Sequence, residues 1–252
     1  MEELRVMGLT IKRNGSPDVI TSEKKCHYLD NGFCDSCSCD KCIGGVIINR
    51  VSMTTRDCEC KIEAINRHRI KAAGLPEWQT FGSYRTSEEW QRRVKEKALA
   101  FLADDRVQGF YIAGQSGSGK THICNAILSE MAKKGKKIMP FRWIEQARRI
   151  KALSNEPDRC DEELQRYLDA DVLFIDDLFK QAATDADIGL AMRIIDDRYN
   201  RRRVTLISSE RTLDEIRRLR DGDGEAIAGR IKEMCGEYCI MLRGADKNQR
   251  LK

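Results

Sequence analysis

Residues 114–121 read Gly-Gln-Ser-Gly-Ser-Gly-Lys-Thr. This is the spacing G-x-x-x-x-G-K-[ST], which closes backbone amides around a polyphosphate. Gly114, Gly117 and Gly119 leave no side chain between the N–H groups and phosphate oxygens, and Gln115, Ser116 and Ser118 complete the loop. Lys120 sets a positive charge against the β and γ phosphates, and the Thr121 hydroxyl can ligate Mg²⁺. A helix starting here adds the favourable end of its dipole. His122 closes the candidate nucleotide-binding set and is expected to pack on that helix rather than on substrate. Further along, Val172-Leu-Phe-Ile-Asp176-Asp177 ends four apolar residues on two carboxylates. Asp176 suits Mg²⁺, held through water, and Asp177 suits orienting or activating an attacking water. The chemistry expected is ATP hydrolysis.

A second group of reactive side chains lies before this site. Seven of the eleven cysteines fall between Cys26 and Cys60. Zinc takes four thiolate or imidazole ligands in a tetrahedron. Cys39-x2-Cys42 and Cys58-x-Cys60 form two close pairs joined by a loop, with Gly44-Gly45 as a turn and strand-like Val46-Ile47-Ile48 between them. A metal there would hold a segment too small to build a core. Cys26, Cys34 and Cys37, with His27, are surplus. They leave open a second zinc site, ligand exchange with the first pair, or an iron–sulfur cluster. A reducing compartment disfavours a disulfide framework. Cys124, Cys160, Cys235 and Cys239 read as small buried hydrophobes.

These groups need a scaffold. The chain has 252 residues, 41% hydrophobic and 34% charged, with a formal net charge of +5. The mild basicity is compatible with a nucleic-acid partner. No apolar run reaches the length of a membrane span and no signal peptide is legible, so a cytoplasmic location without membrane contact is expected. Strands are predicted near 107–113, 137–142, 171–176, 204–209 and 238–242. Helices are predicted near 120–134, 143–152, 160–169, 185–202, 212–220 and 224–235. Apolar strands alternating with helices imply an α/β fold with a mostly parallel five-stranded sheet flanked by helices. A short amphipathic helix is predicted from Lys61 to about Gly74. A capping box at Thr86–Glu89 is expected to open a helix with Trp90, Val94, Ala98 and Phe101 on its apolar face.

The P-loop, Leu173-Phe-Ile-Asp-Asp-Leu-Phe179 and the strand near 204–209 together resemble AAA+ ATPases of the replicative helicase loaders, the DnaC/DnaI type. The resemblance implies a P-loop AAA+ domain without a C-terminal lid, preceded by a Cys-rich, zinc-ribbon-like module. That module resembles the N-terminal zinc module of such loaders and would carry Zn²⁺ on Cys39, Cys42, Cys58 and Cys60. Where relatives often have Glu after the metal-binding Asp, Asp177 is one methylene shorter, which implies slow turnover. Where relatives place a polar sensor, this chain has Ser208-Ser209-Glu210; Ser209, or else Ser208, is expected to contact the γ-phosphate region. Ala228-Gly229-Arg230-Ile231 resembles the segment that carries the arginine finger, which acts on a neighbouring subunit's nucleotide. Arg250, near the end, resembles a second nucleotide sensor. The organisation implied is an N-terminal segment 1–25, a zinc-binding, helicase-interacting module 26–73, a linker 74–85 and the ATPase domain 86–252.

The implied function is ATP-dependent loading of a hexameric replicative helicase onto single-stranded DNA, with ATP-dependent homo-oligomerisation. Alternatives are a transposition helper ATPase of the IstB type and a metal-binding adaptor with a non-catalytic nucleotide site. Arg148, Arg149 and Lys151 are candidates for DNA contact, although solvated charge is the ordinary reading. The run Arg201–Arg203 is read as the basic end of a helix.

Overall fold

The structure, a computed structural model, describes residues 3–6, 9–12, 46–49 and 54–249, apart from 221, 243, 245 and 246. The chain divides into two units, Met1–Ile65 and Asn66–Lys252.

The first unit contains two antiparallel strand pairs. Strands β1 (Glu3–Val6) and β2 (Leu9–Lys12) pair with Glu3 opposite Lys12. No strand is expected in the N-terminal segment 1–25, and this pair lies within it. Strands β3 (Val46–Asn49) and β4 (Thr54–Asp57) pair with Val46 opposite Asp57. Helix α1 (Glu59–Ala72) starts directly after Cys58, and Lys61 reaches back to Asp57 at 2.6 Å.

In the second unit, helix α2 (Glu89–Ala103) begins later than the predicted cap. Gln91 Oε1, rather than Glu89, accepts the Glu88 backbone N–H at 3.0 Å, because Gln91 occupies the third helical position and can fold back. The remaining strands are β5 (Gly109–Gly114), β6 (Ile138–Arg142), β7 (Val172–Leu178), β8 (Val204–Ser209) and β9 (Cys239–Leu242). All pair in parallel, in the order β6-β7-β8-β5-β9. The connection leaving β5 runs toward β6 and the one leaving β8 runs past β5 to β9, so the switch point, and the crevice at the strands' carboxyl ends, lies between β5 and β8.

The two-residue period of a strand sorts the sheet's side chains between two cores. Phe110, Ile112, Phe174 and Leu206 pack under α2 and helix α3 (Lys120–Lys133). Tyr111, Ala113, Leu173, Ile175 and Ile207 pack on the opposite face. That face is covered by α4 (Trp143–Ala152), α5 (Pro157–Leu168), α6 (Asp185–Asn200) and α8 (Asp223–Cys235). The short α7 (Leu213–Arg217) connects β8 to α8. Residues 74–85, expected as a linker, contribute buried Leu75 and Tyr84 to the α3 side. Among the described residues no helix is long and apolar enough to cross a membrane.

A fully buried arginine joins the layers. Arg198 of α6 donates through Nε to Thr205 Oγ1 at 2.8 Å. Its Nη1 donates to the carbonyls of Leu168 and Ala170, and its Nη2 to that of Val204 at 2.6 Å. The guanidinium therefore satisfies the last carbonyls of α5 and the start of β8 at once. Burial pushes its pKa down to about 9, which still leaves it charged at neutral pH. Replacing it should leave several buried carbonyls without a donor. Arg198→Met is expected to lower unfolding free energy by about 3 kcal/mol or more. Arg198→Lys, which keeps charge without the planar fork, should fall between the two. Urea titration measures both.

Candidate functional site

The loop at residues 114–121 lies between β5 and α3, as its strand–loop–helix context requires. Gly117 and Gly119 take φ of 76° and 82°, backbone conformations that side-chain-bearing residues seldom adopt. Ser118 Oγ donates to Gln115 O at 2.8 Å and braces the loop. Lys120 is almost entirely buried, and its Nζ donates to the carbonyls of Gly114 at 2.7 Å and Gln115 at 2.9 Å. Desolvation lowers its pKa, while the nearby Asp177 and Glu210 carboxylates oppose that shift.

Asp176 is the meeting point. Its Oδ1 accepts from Thr121 Oγ1 at 2.9 Å and from Ser208 Oγ at 2.6 Å. Burial is the largest influence on its carboxyl and raises the pKa, with the two hydroxyls opposing. The arrangement joins the start of α3 and the ends of β7 and β8 through one oxygen. A carboxylate beside a hydroxyl at the mouth of a phosphate loop is oxygen chemistry suited to Mg²⁺.

Pairing of β7 with β8 slips after Ile175, and Asp177 takes a φ of 60°. Such an irregularity re-aims a side chain at the end of a strand. The Asp177 N–H donates to Ser208 Oγ at 2.9 Å, and its carboxylate receives Lys180 Nζ at 2.6 Å. Lys180 also lies 3.9 Å from Glu210. Lys180 was not a sequence candidate, and a lysine three residues after the acidic pair offers no motif to find it by. It gives Glu210 a cationic neighbour beside the crevice, which offsets the repulsion expected of an acid there.

Ser209 sits elsewhere, and His122 and Arg230 lie apart from the loop, as the expected packing of His122 and the expected action of Arg230 on a neighbour allow. Ser209 is fully buried on the other face of β8, where its Oγ donates to Leu178 O at 2.7 Å and accepts the Arg211 N–H at 3.0 Å. The strand period separates it from the loop and puts Ser208 there instead. His122 is held away from the crevice. Its Nε2 donates to Thr80 O at 2.9 Å, and its ring meets Trp78 and Tyr84 edge-on. Arg230, on α8, pairs through Nε with Asp196 at 2.6 Å and lies over Tyr199, both on α6. Gln115 and Ser116 lie in the loop as expected, whereas Arg250 is outside the described residues.

Of the cysteine set, Cys39 and Cys42 lie outside the described residues, as do Cys26, Cys34 and Cys37. Cys58 is buried at the end of β4, and Cys60 lies in the first turn of α1. Among the described residues no three His, Cys, Asp or Glu side chains gather as a metal cluster. Of the basic candidates, four are engaged within the fold: Arg149 with Glu163, Lys151 with Asp187, Arg201 with Asp169 and Arg203 with Asp171. These four are paired with acids rather than simply solvated.

Comparison with known proteins matches residues 53–236 to the family of IstB-like ATP binding proteins. The phage-like element PBSX protein XkdC of Bacillus subtilis (strain 168) is 31% identical over 193 residues, 73% of this chain and 70% of the relative. The replicative helicase loader DnaC of Escherichia coli (strain K12) is 24% identical over 156 residues, 61% of this chain and 62% of the relative. A crystal structure of the DnaC helicase loader superposes with a TM-score of 0.56 at 26% identity, covering 65% of this chain and 95% of that one. The parallel sheet, P-loop and flanking helices are those of the AAA+ fold.

The two serines separate function from structure. Ser208→Ala removes one of the two hydroxyls on Asp176 and the acceptor of the Asp177 N–H, and should weaken Mg²⁺-dependent nucleotide turnover by about tenfold or more with a small change in melting temperature. Ser209→Ala should cost about 1–3 kcal/mol of stability by stranding buried backbone groups, with turnover per folded molecule retained. Steady-state phosphate release and thermal melting on both variants measure this.

Proposed function

The chain belongs to the IstB-like ATP binding protein family, and from that membership we propose that it hydrolyses ATP as a loader of a replicative DNA helicase onto single-stranded DNA. The observation that carries the ATPase reading is the shared Asp176 oxygen, bonded to both Thr121 and Ser208 beside Lys120. Loading is supported by the similarity to the E. coli loader in sequence and to the DnaC helicase loader in fold.

In this reading Lys120 exchanges the carbonyls of Gly114 and Gln115 for phosphate oxygens, and the loop amides close around the β-phosphate. Thr121 and Asp176 would hold Mg²⁺, which would supply charge neutralisation to the phosphate groups. Asp177 orients the attacking water once its pairing with Lys180 loosens, and Ser208 fixes the backbone that carries it. Turnover is therefore slow without a partner. Arg230, whose partners are Asp196 and Tyr199 of α6 rather than the loop, serves a neighbouring subunit in an ATP-dependent homo-oligomer; its guanidinium is planar and permanently charged, as that role requires. The complex acts in the cytoplasm. A second reading, a transposition helper, is favoured by the family's own IstB-like description.

The N-terminal module, read as residues 26–73, grips the helicase through a zinc clip on Cys39, Cys42, Cys58 and Cys60. Its support is the spacing of the two cysteine pairs in the sequence, with Cys58 directly after β4 and Cys60 in the first turn of α1. Two thiols in this position suit zinc, which would staple the small unit.

Co-purification with a hexameric replicative helicase in the presence of ATP tests the loading role; its absence, alongside capture of a transposase, would favour the transposition helper. Lys120→Ala should reduce phosphate release by at least about a hundredfold. Elemental analysis should find one zinc per chain, lost in the Cys58→Ser, Cys60→Ser double variant together with helicase binding and without loss of ATP binding.

A further inference from the structure

The groups assigned so far account for a triphosphate and its metal, and none of them reads a base or a ribose. Two further chain segments reach the loop. From beyond β9, the Gln249 N–H donates to Gly117 O at 3.0 Å. The same segment sets the Lys247 ammonium 5.6 Å over the Trp90 ring. From before α2, Tyr84 packs against Gly119; a Cβ at that glycine would lie 3.3 Å from the tyrosine Cε2 and 3.6 Å from its hydroxyl. The two segments are joined by Arg85, whose Nη1 donates to Gln249 Oε1 at 3.4 Å.

Both side chains end in an unused polar atom. The Tyr84 hydroxyl and Gln249 Nε2 are buried and have no hydrogen-bond partner among the described residues. Tyr84 is 6% exposed, so its hydroxyl is not served by bulk water. Each such atom costs about 1–3 kcal/mol in a folded protein, and buried polar groups without partners are rare. Two of them at one phosphate loop call for a shared explanation.

Their chemistry narrows the ligand. Gln249 has its Oε1 and backbone N–H engaged, which leaves only the amide NH₂, a pure donor. The tyrosine hydroxyl donates or accepts. The missing group must therefore offer acceptors and come within reach of Gly117 and Gly119. The phosphate oxygens already have the loop amides, Lys120 and the helix terminus. The acceptors without an assigned partner are the ring nitrogens and ribose oxygens.

We propose that Tyr84 and Gln249 recognise the nucleoside half of the bound nucleotide. The proposal rests on the reading of residues 114–121 as a nucleotide site. It gives residues 247–249 a role through Gln249 itself, by a contact distinct from Arg250.

Tyr84→Phe and Gln249→Met, made in the full chain, test it by calorimetric binding of Mg²⁺-ATP and of inorganic tripolyphosphate, with melting of the ligand-free protein alongside. Each variant should bind ATP about three- to tenfold more weakly, the worth of one hydrogen bond, and bind tripolyphosphate as the parent does. Ligand-free Tyr84→Phe should melt no lower than the parent, because the hydroxyl it loses has no partner. Unchanged ATP affinity in both variants overturns the proposal, as does an equal loss for tripolyphosphate. A lower melting temperature for ligand-free Tyr84→Phe also overturns it, since the hydroxyl would then be satisfied within the chain. A parent protein that binds neither ligand would instead sink the nucleotide-site reading itself.

Discussion

One carboxylate oxygen, Asp176 Oδ1, ties three parts of the chain that are far apart in sequence. Thr121 reaches it from the start of α3, and Ser208 from the end of β8. The carboxyl group is largely desolvated, and its pKa is raised accordingly. Burying it is unfavourable unless the charge is met. Here two hydroxyls meet it and Lys120 lies close by. The unfavourable burial and the site's function have one source. A partly desolvated carboxylate with hydroxyl partners is oxygen chemistry that suits a cation.

The surroundings carry the strain that this arrangement requires. Asp177 and Phe179 both have positive φ, at 60° and 54°. Outside glycine such values are uncommon and cluster where a fold holds a residue for a purpose. The slip of β7 against β8 turns Asp177 away from strand geometry, and the Ser208 hydroxyl receives its N–H. Ser208 thus serves both acids. Arg198, at the far end of the same strands, is the counterpart that keeps β8 fixed to α5 and α6. With both ends of β8 held, the position of Ser208 relative to the loop is set by rigid elements rather than by a mobile turn.

The cations of this basic chain divide by depth. On α4 and at the end of α6, arginines and lysines pair with acids across helices and contribute little individually to stability. Lys120 and Arg198 are buried, and both are satisfied by backbone carbonyls rather than by carboxylates. The difference has consequences for function. Carbonyl partners leave the full charge of Lys120 available to an incoming anion, whereas an ion pair would have to be broken first. Asp177 is in the latter position, held by Lys180.

Local pattern alone determined much of this protein. The glycine spacing, the apolar run ending in Asp176 and the alternation of strands and helices specify the P-loop and the parallel sheet, because each depends on neighbours within a few residues. The predicted strands lie within about two residues of β5 to β9. What tertiary structure decided is which side of each strand faces the loop. Ser208 and Ser209 are the same residue type, and the choice between them follows from which face of β8 α3 covers. The parity was legible, since Leu206 and Phe174 share the α3 face with Ser208 and Asp176, but only once the register between β7 and β8 was known. Lys180, Tyr84 and Gln249 carry no motif at all. Their contacts with Asp177 and the loop arise from a strand irregularity and from segments distant along the chain, and no local pattern encodes a meeting that only the packed fold brings about.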